Sequence, residues 1–306
     1  MSHRENLRVE EEQSGIRLDR FLASAHPETS RSAVQKEIRE GRVLIDESTA
    51  TRSSQPLRTG QVIAWFPPKP EALKPRAIPL EVLYEDDTLV ILDKPIGLVV
   101  HPGAGTRETT LVEGLAASRD LPSSDDPSRP GIVHRLDKET SGVIVVAKTP
   151  GSLDCLKRQF ADREVSKTYL CVVEGILEEE EGLIDAPIGR DPSRPSRMAV
   201  QSTGRSAQTS FDVLARLGDR TLLRAQPRTG RTHQIRVHFS YIKHPVVGDS
   251  IYPGRLSGAR LMLHAWRLAF RHPKTGEEMR LEAPIPAEFP PYEFGQLLWS
   301  HTPEMA

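Results

Sequence analysis

Apolar positions along this 306-residue chain recur first at helical spacing and later in short continuous runs. Near the start, Leu18, Phe21, Leu22 and Ala25 follow the i, i+3, i+4, i+7 pattern of an amphipathic helix. A second helix is predicted from Ser30, a good N-cap, to a stop at Gly41, with Val34 and Ile38 on its apolar side. Two short apolar runs, Val43 to Ile45 and Val62 to Trp65, follow as strands, so residues 15–66 read as a small module. Residues 67–79 (PPKPEALKPRAIP) carry five prolines in 13 positions, a composition that favours a semi-stiff extended linker. The body, 80–300, contains apolar strands at Leu89 to Leu92, Val143 to Val146, Tyr169 to Val173 and Thr221 to Ala225. The β-branched run Val143 to Val146 has no polar alternation, as expected of a strand buried on both faces. Helical patterns are too few for regular βαβ units, which predicts an α+β body with a mixed or antiparallel sheet. One such pattern starts at Thr232 as a cap, with Ile235, Phe239 and Ile242 as its stripe and Arg236 in its first turn.

Composition narrows the class. Hydrophobic residues make up 37% and charged residues 27%, ordinary for a globular protein, and no apolar run approaches the ~20 residues that span a bilayer. The start MSHRENLRVEEEQ has no apolar signal segment, so a cytoplasmic location is expected. Cys155 and Cys171 have no second Cys or metal-spaced His nearby and read as small hydrophobes. The ten histidines include no HExxH, and the Gly-rich pieces lack phosphate-loop and dinucleotide spacing, so neither a metal nor a cofactor is expected. The net charge of −1 conceals segregation: Arg224 to Arg271 holds nine Lys/Arg against one acid, Asp249. Such a field attracts phosphates locally, with surface arginines such as Arg260 as contacts.

The chemistry concentrates in Gly131 to Thr149 (GIVHRLDKETSGVIVVAKT), where Asp137 stands in the loop before the buried strand. Taken alone, Asp137 could equally cap a turn or pair with Arg135 or Lys138. HRLDKETSG, however, resembles the active-site signature of the RluA-type pseudouridine synthases. So, in the same order, do Leu92 to Gly103 (LDKPIGLVVHPG), Val165 to Gly175 (VSKTYLCVVEG), Ala186 to Asp191 (APIGRD) and Thr229 to Tyr252 (TGRTHQIRVHFSYIKHPVVGDSIY). The resemblance implies a cofactor-free enzyme that isomerises uridine in RNA. It implies Asp137 as the catalytic carboxylate, Tyr169 stacked on the target base, and Arg236 as the ion-pair partner of Asp137, with Arg231 able to take either arginine role or bind RNA. Arg135 resembles the residue that enters the RNA stack in place of the flipped base, and His134 is expected to make a structural hydrogen bond.

The 15–66 module resembles the S4-like RNA-binding domain, whose second helix faces RNA. This implies contacts from Arg31, Lys36, Arg39 and Arg42, with Gln35 on the same face. Asp46-Glu47 stands where that family usually has an Asn-Gly turn. A chain carrying such a module looks like the subgroup acting on large-subunit ribosomal RNA, free or in an assembling subunit, and a monomer is expected. The competing reading is a catalytically silent RNA-binding or ribosome-assembly protein on the same fold.

Overall fold

A computed structural model describes residues 4–26, 29, 31–66, 73–103, 108–124, 126–194, 197–256, 258 and 260–290. The chain divides into two compact units: residues up to Leu73, with a short stretch at 126–128, form the first, and the remainder from Lys74 onward the second. Of the expected linker, residues 67–72 lie outside the described residues, as do Ser30 and residues 291–300 of the expected body.

The first unit contains β1 (Glu5–Arg8), α1 (Leu18–Ala25), α2 (Arg31–Arg39), β2 (Val43–Ile45), β3 (Ser48–Thr49) and β4 (Val62–Trp65). Its antiparallel sheet runs β1-β4-β2-β3. Leu18 and Leu22 from α1, Val34 and Ile38 from α2, and Val43, Ile63 and Trp65 from the sheet form its core. Ala25, expected on the apolar face, is exposed at the helix end. Gly41 terminates α2 at φ +74°, with Arg42 N donating to Glu37 O and Gly41 N to Ile38 O, the Schellman arrangement.

Buried Asp19 joins the two helices, accepting bonds from Arg17 (3.0 Å), Arg31 (2.9 Å) and Gln35 (2.6 Å). Burial opposes its charge, but these bonds outweigh burial and hold the carboxyl well below its usual range. Arg31 and Gln35, expected to face RNA, are thus already engaged within the unit. A charge periodicity cannot reveal a buried counter-ion on a neighbouring helix.

The β2–β3 hairpin turns through Asp46 (φ 48°) and Glu47 (φ 63°), both left-handed, as a two-residue type I′ turn requires. Asp46 is anchored by accepting from Val62 N (2.9 Å), whereas Glu47 is exposed and among the described residues pairs with Arg4 alone. An exposed pair of this kind contributes little. Glu47→Gly is therefore expected to stabilise the unit by about 1 kcal/mol through relief of the left-handed strain. Greater hydrogen-exchange protection of the Val43 to Ile45 amides in the variant checks this, and reduced protection would refute it.

The second unit comprises β5 (Glu81–Glu85), β6 (Leu89–Lys94), α3 (Leu111–Ala116), β7 (Ser141–Ala147), α4 (Pro150–Ala161), β8 (Ser166–Glu174), β9 (Glu181–Asp185), β10 (Ile188–Arg190), β11 (Met198–Val200), β12 (Gln208–Leu217), β13 (Arg220–Pro227), α5 (Gln234–Tyr241), β14 (Leu263–Arg271) and β15 (Glu278–Glu282). The expected α+β body is present. Its nine-stranded sheet runs β5-β6-β7-β14-β8-β13-β12-β9, with β15 on β14 and a separate β10–β11 ribbon. Every pairing is antiparallel except β7 with β14, which is confined to Ser141–His264 and Gly142–Ala265. There Gly142 has φ +114°, and a Cβ on it would fall 2.1 Å from Ala265 O, so the close strand approach requires glycine.

Every residue of β7 is buried. Val143 and Val145 pack with Leu153 and Leu156 of α4 on one face, while Ile144 and Val146 pack with Leu111 and Leu115 of α3 on the other. Two covered faces explain the unbroken apolar run. Helix α4 starts on Thr149, whose hydroxyl accepts from Ser152 N, with Pro150 in its first turn.

Two sequence expectations change. The cap of α5 is His233 at φ 57°, not Thr232, and it makes no side-chain cap bond. Gln234 braces this helix start instead: its Oε1 accepts from Arg231 N (3.0 Å) and Thr229 Oγ1 (2.6 Å). The basic run is also less of a surface than its count suggests. Arg224, Arg236 and Arg267 are buried against Asp212, Asp249 and Glu282. The Arg260 side chain is only 8% exposed and donates to Ser141 Oγ, which contradicts its expected role as a surface phosphate contact.

Candidate active site

The loop before β7 is held from below by Lys94, at the end of β6. Its fully buried ammonium donates to the carbonyls of Pro95 (2.8 Å), Leu98 (2.9 Å) and Lys138 (3.1 Å), tying the 95–98 turn to the residue after Asp137. Burial brings the Lys94 pKa down to about 8. His134 makes a structural bond, its Nε2 accepting from Val145 N at 3.0 Å while the ring stacks on Phe160 at 4.6 Å. Burial pushes its pKa down to about 3, so the ring is neutral and that nitrogen can accept. With Leu136 buried as well, Asp137 is turned into a cleft of about 490 Å³, within the usual range for a small-molecule site.

Arg236, in the first turn of α5, meets Asp137 there. Its Nη1 donates to Asp137 Oδ2 at 3.2 Å, while Nε and Nη2 make the shorter, two-pronged contact with Asp249 Oδ2 (2.7 Å) and Oδ1 (2.8 Å). Asp249 is locked in turn, accepting from Ile251 N (2.8 Å) and Tyr252 N (2.9 Å). Burial works against the Arg236 charge, but the Asp249 bonds and the two carboxylate charges outweigh it and raise its pKa. The Arg236 and Asp249 side chains are 3% and 0% exposed and Asp137 is 18% exposed, so Asp137 is the carboxylate of this trio that a ligand can touch.

A second contact approaches the same oxygen. Tyr252 Oη accepts from Met198 N (3.0 Å) and shares a hydrogen bond with His233 Nδ1, also 3.0 Å away. The other ring nitrogen, Nε2, lies 3.9 Å from Asp137 Oδ2. Burial, the largest influence, keeps His233 below its ordinary pKa. Both neighbours converge on Oδ2, and among the described residues Oδ1 has no hydrogen-bond partner.

Tyr169, half-buried in β8, lines the cleft; burial and then the Asp137 charge raise its pKa, so it presents a neutral phenol and an aromatic face. Exposed Arg135 and half-buried Arg231 line the same cleft, Arg231 Nε donating to Ser206 O at 3.0 Å. Asp137, Tyr169, Arg236, Arg135 and Arg231 are thus assembled in one place from segments far apart in sequence. Arg31, Lys36, Arg39 and Arg42 belong to the other unit. There Lys36 is 3.7 Å from Glu40, Arg42 pairs with Glu37 and Glu40 at 2.7 Å, and exposed Arg39 has no ion pair among the described residues.

Lys94, His233, Asp249 and Tyr252 are site residues that sequence reasoning missed. Asp249 and Tyr252 were visible only as the GDSIY end of a motif. Among the described residues no cluster of His, Cys, Asp and Glu is placed to hold a metal ion.

A carboxylate with one oxygen tied and one free, facing an aromatic ring in a nucleoside-sized cleft rimmed by arginines, suits chemistry on one nucleotide drawn out of its strand. Comparison with known proteins agrees. Residues 88–241 match the RNA pseudouridylate synthase family and residues 16–63 match the S4 domain. An uncharacterized RNA pseudouridine synthase, YlyB, of Bacillus subtilis is 42% identical over 92% of this chain and 95% of its own length. The ribosomal large subunit pseudouridine synthase D of Xanthomonas campestris is 44% identical over 92% of this chain and 88% of that protein. The solved structure of human RNA pseudouridylate synthase domain containing 1 superposes with a TM-score of 0.55 at 27% identity, covering 71% of this chain and 86% of that one. With that extent of likeness running through both units and the cleft, the chain belongs to the RNA pseudouridylate synthase family and is an RNA pseudouridine synthase, an isomerase acting on RNA.

Proposed function

We propose that this enzyme modifies uridines of large-subunit ribosomal RNA, with Asp137 as the catalytic carboxylate. The observation that carries the catalytic assignment is the shared guanidinium of Arg236, which is anchored on Asp249 and lends its remaining nitrogen to Asp137. An anchored cation can keep a carboxylate charged in a dry cleft without covering both of its oxygens. In this reading the freed uracil lies on the face of Tyr169 while its glycosidic bond breaks, the base turns, and a carbon–carbon bond to ribose forms. Arg135 takes the flipped base's place in the stack, and Arg231 contacts the backbone. Residues 80–300 are the catalytic domain; residues 15–66, joined through 67–79, supply additional RNA affinity, with Arg39, Lys36, Arg42 and Arg31 toward the RNA.

The choice of RNA is supported by relatives named ribosomal large subunit pseudouridine synthase D. A ribosomal substrate implies action in the cytoplasm, and the chain acts as a monomer. Pseudouridine mapping of large-subunit RNA from cells with and without the gene is expected to reveal at least one site lost with the gene. An unchanged map would reject the substrate assignment.

A further inference from the structure

The buried arginines of the catalytic unit are neutralised from within: Arg224, Arg236 and Arg267 each lie within 3.0 Å of a carboxylate. One wall of the cleft instead gathers cations that are exposed (Arg163, Arg205) or half-buried (Lys167, Arg231). Arg163, Lys167, Arg205 and Arg231 line it, and among the described residues none of them pairs with an acidic side chain. They also feel one another. Burial, then the charges of Arg163 and Arg231, bring the Lys167 pKa down to about 8, and burial with Arg205 and Arg163 lowers that of Arg231. Holding like charges together in a partly dry cleft is unfavourable unless an anion joins them.

The backbone gives an independent sign. Helix α4 ends in a Schellman turn, with Glu164 N donating to Gln159 O (2.9 Å), and the left-handed position is Arg163 at φ 64°. At the equivalent point after α2 the chain uses Gly41. Glycine is the stable choice there, so a strained arginine on the cleft wall points to a use for its side chain.

We propose that Arg163, Lys167, Arg205 and Arg231 form a phosphodiester-binding subsite that grips the RNA backbone beside the nucleotide held at Tyr169. The placement of that nucleotide rests on the function proposed above. Lys167 and Tyr169 are two residues apart on one face of β8, roughly 7 Å, so a base on the tyrosine has a flanking phosphate within reach of the ammonium.

The test uses the full-length chain carrying Asp137→Asn, so that binding is read without turnover, with transcribed large-subunit RNA as probe. Arg163→Gly is expected to raise Tm by roughly 2–4 °C through relief of strain. It should nevertheless weaken RNA binding about tenfold and reduce the salt slope by about one. Opposite signs exclude a merely structural role. Lys243, in the same kind of turn after α5 (φ 71°) but outside the cleft lining, is the control. Lys243→Gly should raise Tm similarly with affinity unchanged. Unaltered affinity in Arg163→Gly, or equal losses in both variants, overturns the subsite.

Protonation is a second readout. A bound phosphate favours charged Lys167, so RNA binding takes up a proton above pH 8 and affinity falls with rising pH, by up to about tenfold per unit. The groups facing Lys167 are Arg163, Arg231 and neutral His134, and the same lining carries Arg205 and Tyr169, which is raised out of this range. Lys167→Arg should flatten the profile between pH 7 and 9; an identical slope in that variant removes Lys167 from the subsite. Finally, if 10 mM inorganic phosphate raises the wild-type Tm but not that of Arg163→Gly, while the two bind RNA alike, the site holds a free anion and the phosphodiester assignment fails. These readouts are affinities, so they stand or fall separately from the role of Asp137.

Discussion

Asp137→Asn is expected to abolish pseudouridine formation, with a loss of about four orders of magnitude or more, while RNA binding stays within a few-fold of wild type. The separation follows from how the site is built. Arg236 is held by two short bonds to Asp249 and does not depend on Asp137 for its position. An asparagine oxygen can still accept from Arg236 Nη1, so shape is preserved and only the negative charge disappears. Single-turnover rates and dissociation constants, measured on the same RNA, decide the matter. Pseudouridine formation by Asp137→Asn near the wild-type rate would remove Asp137 from the chemistry.

The second large effect is expected at Asp249. Removing this carboxylate leaves a buried guanidinium with Asp137 as its remaining carboxylate contact, and breaking such a pair typically costs about 3–5 kcal/mol. The tips of Ile251 N and Tyr252 N lose their acceptor as well. In Asp249→Ala, Arg236 is free to turn its fork onto Asp137 and occupy both oxygens, so even folded protein should lose roughly 100-fold or more in rate. The diagnostic variant is Arg236→Met with Asp249→Leu. Exchanging a buried pair for apolar groups is often nearly neutral for stability, so thermal unfolding should return to within a few degrees of wild type while catalysis stays lost. Recovery of the rate together with Tm would mean that the pair is structural only.

Much of the fold was legible because burial imprints itself on composition. Val143 to Val146 declared a strand covered on both sides, and Leu18, Phe21, Leu22, Val34 and Ile38 declared two helices over one small core. The segregation of charge was read correctly as a count but not as a surface, because a residue's charge does not state what it faces. Arg260 looked like a phosphate contact and is interior; Arg31, exposed as expected, is also bonded to Asp19. The pairing of Asp137 with Arg236, 99 positions apart, followed only from family resemblance. Asp249 went unread for a physical reason: in a segment of nine cations it seemed an incidental acid, although it holds the guanidinium more closely than Asp137 does. The placement of His233 between Tyr252 and Asp137 joins separate segments and has no local sequence signal.

The narrow parallel junction between β7 and β14 has a further consequence. It divides the large sheet into pieces that are also contiguous in sequence, one carrying β5, β6 and β7, the other β8, β9 and β12 to β15. Asp137 belongs to the first piece, and Tyr169, Arg236 and Asp249 to the second. The proposed catalytic constellation is therefore a property of their docking and exists in neither piece alone. A backbone nick in the exposed turn at residues 162–164, between the two, would turn an intramolecular arrangement into a reassociation equilibrium. Activity would then rise with protein concentration, as in a split enzyme.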